Sequence, residues 1–467
     1  MLFNSFIFIV FILLFFAFWY PLKKNNNTKW IYLTFSSFIF YAWWDWRFLF
    51  LIIFSGLVDY LAGLLMLKSS NKKFWLILSL TVNIGLLSIF KYSTFFASII
   101  DDVLGLLDIH LNMVNRIPKF ALILPVGISF YTFQSMSYTI DIYRNRLKPT
   151  KNIFHFFAYL SMFPQLVAGP IIRAKDLLKQ LSQHRKVDAL QIWHGTKLVA
   201  LGFFQKTVLA DNIGVLVNSA YNNMDAYNSS IFWWMVSIGF ALQIYFDFSG
   251  YSLIAKGIAK WMGYHFKMNF NHPYIAKSLK SFWQRWHISL STWFRDYVYI
   301  PLGGNKKGLV KSLLFMWITM LISGLWHGAS ITFLIWGGIH ALFLSVERVS
   351  YPFIKKIPKL FIFIFTMFQV LLAWVFFRSE GIEQAFYVIN KMFSFTEIHF
   401  YWSEFENSYY FLGIALLFEL FYFLSIYVYE LKKVTKTIVF EGVEASLFIV
   451  ACLFLRGPEQ EFIYFQF

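Results

Sequence analysis

Residues 312–346 read SLLFMWITMLISGLWHGASITFLIWGGIHALFLSV, and no Asp, Glu, Lys or Arg occurs between Lys311 and Glu347. As one straight helix this run would be about 50 Å long, against a hydrocarbon core of about 30 Å. Both flanks are basic: Lys306, Lys307 and Lys311 precede it, and Arg348, Lys355, Lys356 and Lys359 follow. Basic flanks prefer the cytoplasm, so the run must enter the membrane and come back. Ser323-Gly324 and His327-Gly328 are the natural breaks, which puts His327 at the tip of a broken hairpin with Thr319, Ser323 and Ser330 near it. A first arm of roughly 20–24 Å keeps that tip inside the membrane, where a break is tolerated if it lines a polar or wet cavity. A neutral imidazole there can act as a general base toward a hydroxyl. It can equally be structural, bonding a carbonyl freed by the break.

The rest of the chain has the same character. Its 467 residues are 58% hydrophobic and 22% aromatic, with a mean hydropathy of +0.58, far above a soluble globular average. Apolar runs near 3–20, 30–44, 48–67, 74–96, 119–138, 192–216, 230–250, 312–326, 329–346, 359–377, 408–429 and 438–455 predict an all-α polytopic membrane protein. The expectation is about 11–12 transmembrane helices plus re-entrant or interfacial ones, in a single integral-membrane domain over 1–467. The first run lacks a basic leader and reads as a span, not a cleaved signal peptide. The net charge of +17 fits basic cytoplasmic loops better than nucleic-acid binding. Lys23, Lys24 and Lys29 follow the first span, Lys68, Lys72 and Lys73 the third, and Arg144, Arg146, Lys148 and Lys151 the fifth, whereas Asp101, Asp102 and Asp108 follow the fourth. Alternation then places the N-terminus outside. Because 173–186 is basic as well, 153–170 is expected not to cross.

Charge within a bilayer is costly, so ionisable groups there are functional candidates. Asp59 and Lys91 fall in or near adjacent spans and can pair, as a structural ion pair or by snorkelling. Polar density is highest over 240–347. SFWQRWHISLSTWFRDYVYIPLGGN (281–305), read as a helix, has an apolar face of Phe282, Trp286, Leu290, Trp293 and Tyr297 beside a polar stripe of Gln284, His287 and Ser291. His287 then either faces a polar cavity or snorkels at the interface. The second copy of WHG, with His194, lies beside Lys197 at a cytoplasmic mouth, where a histidine is unremarkable. His340 reads as a packed core histidine. No tight His or carboxylate spacing suggests a metal. The single cysteine, Cys452, lies far from these motifs and excludes both an internal disulfide and a thiol-relay acyltransferase.

Taken together, ILPVGISFYTFQSMSYTIDIYR (123–144), FPQLVAGPIIR (163–173), QIYFDFSGYS (243–252), FWQRWHISLSTWFRDYVYIPLGG and SGLWHGAS resemble the membrane-bound O-acyltransferase family. The family core would span about 120–350. The chain is most similar to the bacterial branch that O-acetylates exported polysaccharides, alginate and peptidoglycan among them; the D-alanyl transferases of teichoic acid are cousins. The resemblance implies a ring of tilted helices around a central passage, with His327 as the catalytic histidine and His287 as the second motif histidine. It implies acetyl-CoA as a cytoplasmic donor and an extracytoplasmic partner of the SGNH, serine-hydrolase-like kind, which passes the acetyl group to the polysaccharide. It implies the bacterial inner membrane and contact with lipid; from spacing and charge, neither a metal nor a nucleic-acid partner is expected. Arg173, Lys175, Lys267, Lys277, Lys280 and Arg285 are candidates for holding CoA phosphates, or simply reflect positive-inside bias. Trp286 and Trp326 are candidate oxyanion donors. Within acyl transfer, D-alanyl transfer to teichoic acid and acylation of a lipid or a protein remain alternatives, and two readings outside it compete. A transporter of an acylated or glycan-linked lipid would tolerate conservative replacement of His327. A scaffold of an export complex would need neither histidine beyond folding.

Overall fold

The structure, a computed structural model, describes residues 1–167, 169–395, 398–432 and 438–465. No strand occurs among them. The chain forms two compact units, one of residues 1–195 and 258–266, the other of 196–257 and 267–467. Eight helices among the described residues are long and apolar enough to cross a membrane.

The first unit holds α1 (Phe6–Leu22), α2 (Asn26–Asp45), α3 (Leu49–Lys68), α4 (Lys72–Leu87), α5 (Ser93–Gly105), α6 (Ile128–Tyr143), α7 (Ile153–Leu160), α8 (Phe163–Leu166) and α9 (Ala174–Leu181). The runs expected at 30–44 and 48–67 join into one helical stretch of 43 residues. It bends at a 3-10 turn, Trp46–Phe48, which the Asp45 carboxylate caps by accepting from the Arg47 N–H at 3.0 Å. The run expected at 119–138 becomes regular only at Ile128, because Pro118 and Pro125 remove N–H donors and Gly127 sits at φ 74°. Segment 153–170 yields helices of 8 and 4 residues, about 12 and 6 Å long, too short to cross.

Asp59 does not pair with Lys91. Its carboxylate is enclosed by α3, α4 and α6, where it accepts from Ser79 Oγ at 2.5 Å, from Asn83 Nδ2 at 2.8 Å and from Ser135 Oγ. The Lys91 ammonium lies 3.5 Å from Ser129 Oγ, on a wide π turn between α4 and α5. Hydroxyl and amide donors on neighbouring helices satisfy the acid without a counter-charge. Removing a buried acceptor strands its donors at about 1–3 kcal/mol each. Asp59→Ala therefore lowers stability by about 3 kcal/mol or more, read as a drop in the thermal midpoint in detergent, and Asp59→Asn, which keeps an acceptor, lowers it less.

The second unit takes in most of α10 (Ala189–Phe203) and α12 (Ser230–Met262), and all of α11 (Asp211–Asn222), α13 (Leu279–Trp283), α14 (Ile288–Phe294), α15 (Ile300–Leu302), α16 (Leu309–His327), α17 (Ile331–Val349), α18 (Tyr351–Ile354), α19 (Lys359–Arg378), α20 (Ile382–Phe393), α21 (Trp402–Lys432) and α22 (Ile438–Phe454). The charge-free run does fold back on itself as α16 and α17. The break lies at Gly328–Ser330; Ser323 and Gly324 stay helical. The first arm has 19 residues, about 28 Å, longer than expected because the helix begins at Leu309. Ser330 caps α17, its Oγ accepting from the Thr332 N–H at 3.3 Å. The arms touch through glycines: a methyl on Gly324 would lie 2.2 Å from the Phe333 carbonyl oxygen, and one on Gly337 2.5 Å from that of Met320.

Candidate active site

His327 is the last residue of α16, at the turn of the hairpin, and is buried. Its ring packs against Trp326, Trp336, Phe377 and Tyr464 at centroid distances of 5.0, 5.0, 5.2 and 5.7 Å. The expected neighbours contribute less than their spacing suggested. Thr319 Oγ1 donates to the Phe315 carbonyl at 2.6 Å, and Ser330 is occupied in capping α17.

The helix expected over 281–305 is broken at His287, which has φ 39° and ψ 55° and sits between α13 and α14. The apolar face survives the break: Phe282, Trp286, Leu290, Trp293 and Tyr297 are all buried. The polar stripe does not, since Gln284 is exposed while His287 is fully enclosed. A left-handed conformation in a non-glycine residue is sparsely populated and persists only where surroundings enforce it. Asn269 enforces it here. Its carbonyl oxygen accepts from the Ile288 N–H at 2.8 Å, and its Oδ1 accepts from the Ser289 N–H at 3.1 Å and hydroxyl at 2.8 Å. Oδ1 also lies 3.3 Å from His287 Nδ1. Since that oxygen can only accept, the bond puts the ring proton on Nδ1 and a lone pair on Nε2. Asn269 Nδ2 is in turn held 3.2 Å from Ser252 Oγ on α12.

The two histidines share neighbours. The Trp326 ring is 6.2 Å from His287 and 5.0 Å from His327. The Tyr464 ring is 6.3 Å from His287 and 5.7 Å from His327. Trp286 packs instead against Phe270 and Trp374, at 5.0 and 4.9 Å. Two further histidines singled out in the sequence belong to other surroundings, although His340 shares the Trp336 ring with His327. His340 is core, between Trp283 and Trp336 at 5.0 and 4.9 Å. His194 is half-buried near the start of α10. Of the six cations, Arg173 and Lys175 fall in the first unit. Lys267, Lys277 and Lys280 are exposed in the second, and the Arg285 guanidinium there donates to the Asn271 carbonyl at 3.0 Å.

Asn269 and Tyr464 were not anticipated. Asn269 lies in a loop with no local signal beyond its polarity, and Tyr464 reaches the site from more than a hundred residues away in sequence. The strain at His287 yields a test. His287→Gly relieves the backbone and His287→Ala does not, so the Gly variant is the more stable, by about 1 kcal/mol, while both lack the imidazole and lose transfer alike. Paired melting curves and activity assays check this.

An imidazole enclosed by aromatic rings, two of which also pack on a second imidazole held by an amide oxygen, suits proton transfer to and from oxygen at a carbonyl centre. The model of the MBOAT, membrane-bound O-acyltransferase family, matches residues 144–382, a stretch that contains both histidines. A probable alginate O-acetylase, AlgI, of Pseudomonas aeruginosa is 36% identical over 402 residues, covering 85% of this chain and 75% of its own length. The chain belongs to the membrane-bound O-acyltransferase family. A peptidoglycan O-acetyltransferase of Helicobacter pylori is 34% identical over 405 residues, 79% of this chain and 74% of its own. A teichoic acid D-alanyltransferase of Bacillus subtilis is 30% identical over 256 residues, 52% of this chain and 62% of its own. The protein is thus a multi-pass membrane O-acyltransferase, and the transporter and scaffold readings fall away.

Proposed function

We propose that this O-acyltransferase takes an acetyl group from cytoplasmic acetyl-CoA and delivers it across the bacterial inner membrane, its N-terminus outside, for O-acetylation of an exported or cell-wall polysaccharide. The observation that carries the reading is the convergence of His287 and His327 on the same Trp326 and Tyr464 rings. The extent of similarity to alginate and peptidoglycan O-acetylating relatives supports the acetyl group and the polysaccharide.

His327 serves as the general base. It accepts the proton of an attacking hydroxyl as that oxygen bonds to the thioester carbonyl carbon. When the tetrahedral intermediate collapses, the C–S bond breaks and the imidazolium returns the proton to the departing thiolate, so that ester and free thiol are the products. His287, held by Asn269, is a hydrogen-bond partner for the reacting oxygens. The attacking hydroxyl belongs to an extracytoplasmic, serine-hydrolase-like partner, which then acetylates the glycan. No metal takes part.

The test is donor competition. Membranes containing the protein and its partner are given labelled acetyl-CoA or a labelled D-alanyl carrier thioester. The reading expects label on partner or glycan from acetyl-CoA alone. Transfer only from the D-alanyl donor replaces it with D-alanylation, the activity named for the Bacillus subtilis relative.

A further inference from the structure

Three charged side chains are buried together in the second unit. Lys206, on a π-helical turn at Phe204–Ala210, lies 2.7 Å from Asp211 Oδ1 and 2.8 Å from Asp247 Oδ1. The side-chain exposures are 7%, 1% and 3%, low enough that each charge needs a partner. One ammonium against two carboxylates leaves an excess of negative charge, and the further donor comes from the segment after α22. Asp247 Oδ2 accepts from the Ile463 N–H at 2.7 Å. Lys206 Nζ also donates to the Gln460 carbonyl at 3.1 Å.

That segment is almost free of helix, so its backbone groups depend on outside partners wherever they are buried. The same region of the unit supplies them. The Gly457 N–H donates to the Thr207 carbonyl at 2.9 Å and Asn212 Nδ2 donates to the Leu455 carbonyl at 3.1 Å; a side-chain tie, Asn218 Nδ2 donating to Gln460 Oε1 at 2.8 Å, adds to them. Beyond these ties, Phe462 packs on Tyr251 at 4.9 Å, and Tyr464 packs on Phe248 at 4.4 Å and reaches both histidines. The ammonium, two carboxylates and segment thus complete one another's bonding, and the segment carries Tyr464 to both histidines.

We propose that Lys206, Asp211 and Asp247 form a clamp that positions segment 457–465 as one wall of the histidine site. The three are positioning residues: they act through the segment and have no contact with the reacting groups. The consequence for transfer rests on the role given above to His327; the position of the segment does not, and can be measured without activity.

The experiment uses the full chain with Cys452→Ser and a reporter thiol introduced by Ile463→Cys. Ile463 is 2% exposed, and the backbone N–H at that position still reaches Asp247 after the substitution. Asp247→Leu leaves Lys206 and Asp211 as a neutral pair. The clamp predicts that Asp247→Leu speeds alkylation of the reporter thiol by N-ethylmaleimide about 10-fold or more, through local release of the segment. A control thiol at a buried position on α19, introduced by Ala373→Cys, keeps its slow rate. In the transfer assay Asp247→Leu loses as much as a chain ending at Arg456, and the two changes combined lose no more than either alone. Unchanged labelling of the reporter thiol overturns the proposal. So does equal acceleration at reporter and control, which would mark a general loss of stability, or a further loss when the changes are combined. Should Asp247→Leu fail to fold, Asp247→Asn keeps shape and one acceptor oxygen; it must release the reporter in the same sense by a smaller factor, or the proposal fails.

Discussion

His327→Ala abolishes O-acyl transfer, by about 10³-fold in rate, while His194→Ala leaves it nearly unchanged although both histidines sit in the triplet WHG. Context separates them. His194 is half-buried near the start of a long helix. His327 ends α16, with Trp326, Trp336, Phe377 and Tyr464 around its ring and His287 across the shared tryptophan and tyrosine. Loss of a positioned base costs a factor of about 10²–10⁴, and aromatic rings offer no replacement for it. A Gln at 327 is no better, since it has no lone pair basic enough to take the hydroxyl proton. The comparison is made on cell-envelope polysaccharide from strains expressing each variant at equal level, by base-labile acetate released per unit of glycan.

The second large effect is structural, and it isolates how the hairpin holds that histidine. Gly324→Ala and Gly337→Ala place a methyl 2.2 and 2.5 Å from a backbone carbonyl oxygen of the opposite arm. No side chain can move aside to relieve this, so the arms must separate, at a cost of about 3 kcal/mol or more. Gly338→Ala, one residue along, finds its nearest atoms at 3.9 Å and is tolerated. The first two variants therefore fall sharply in folded yield and thermal midpoint, and lose transfer with it. Gly338→Ala behaves as the unmodified chain. Size-exclusion profiles and melting curves of the three separate the outcomes, and an equal response of all three would remove the close approach of α16 and α17 from the account.

The hairpin was legible because its determinants are local: an uncharged run too long for one crossing, cations on both flanks, and small residues at the turn. The exact position of the break was less so. Both Ser323-Gly324 and His327-Gly328 invite one, and packing of the arms through Gly324 and Gly337 keeps the first of them helical. The break at His287 was hidden, because Phe282, Trp286, Leu290, Trp293 and Tyr297 follow helical spacing and are buried whether or not the helix is continuous. What decides between the two is Asn269, which no periodicity reveals. Asp59 is legible as an intramembrane acid, but its partners come from packing among three helices, and hydroxyls within a span carry little local signal. Lys206 and Asp211 lay in plain view inside an apolar run, and the cost of intramembrane charge was sufficient reason to single them out. The contact of Tyr464 with both histidines depends entirely on tertiary structure.

On the proposed route, acetyl groups cross the membrane through this chain by way of His327. Sealed inside-out vesicles, with the extracytoplasmic partner enclosed, present the cytoplasmic face to the medium. Labelled acetyl-CoA is added outside, and covalent label on the enclosed partner or glycan is counted for the unmodified chain and for His327→Ala. Time-dependent accumulation in the lumen is expected for the unmodified chain, and background for His327→Ala of equal folded content. Equal luminal label for the two rules this route out.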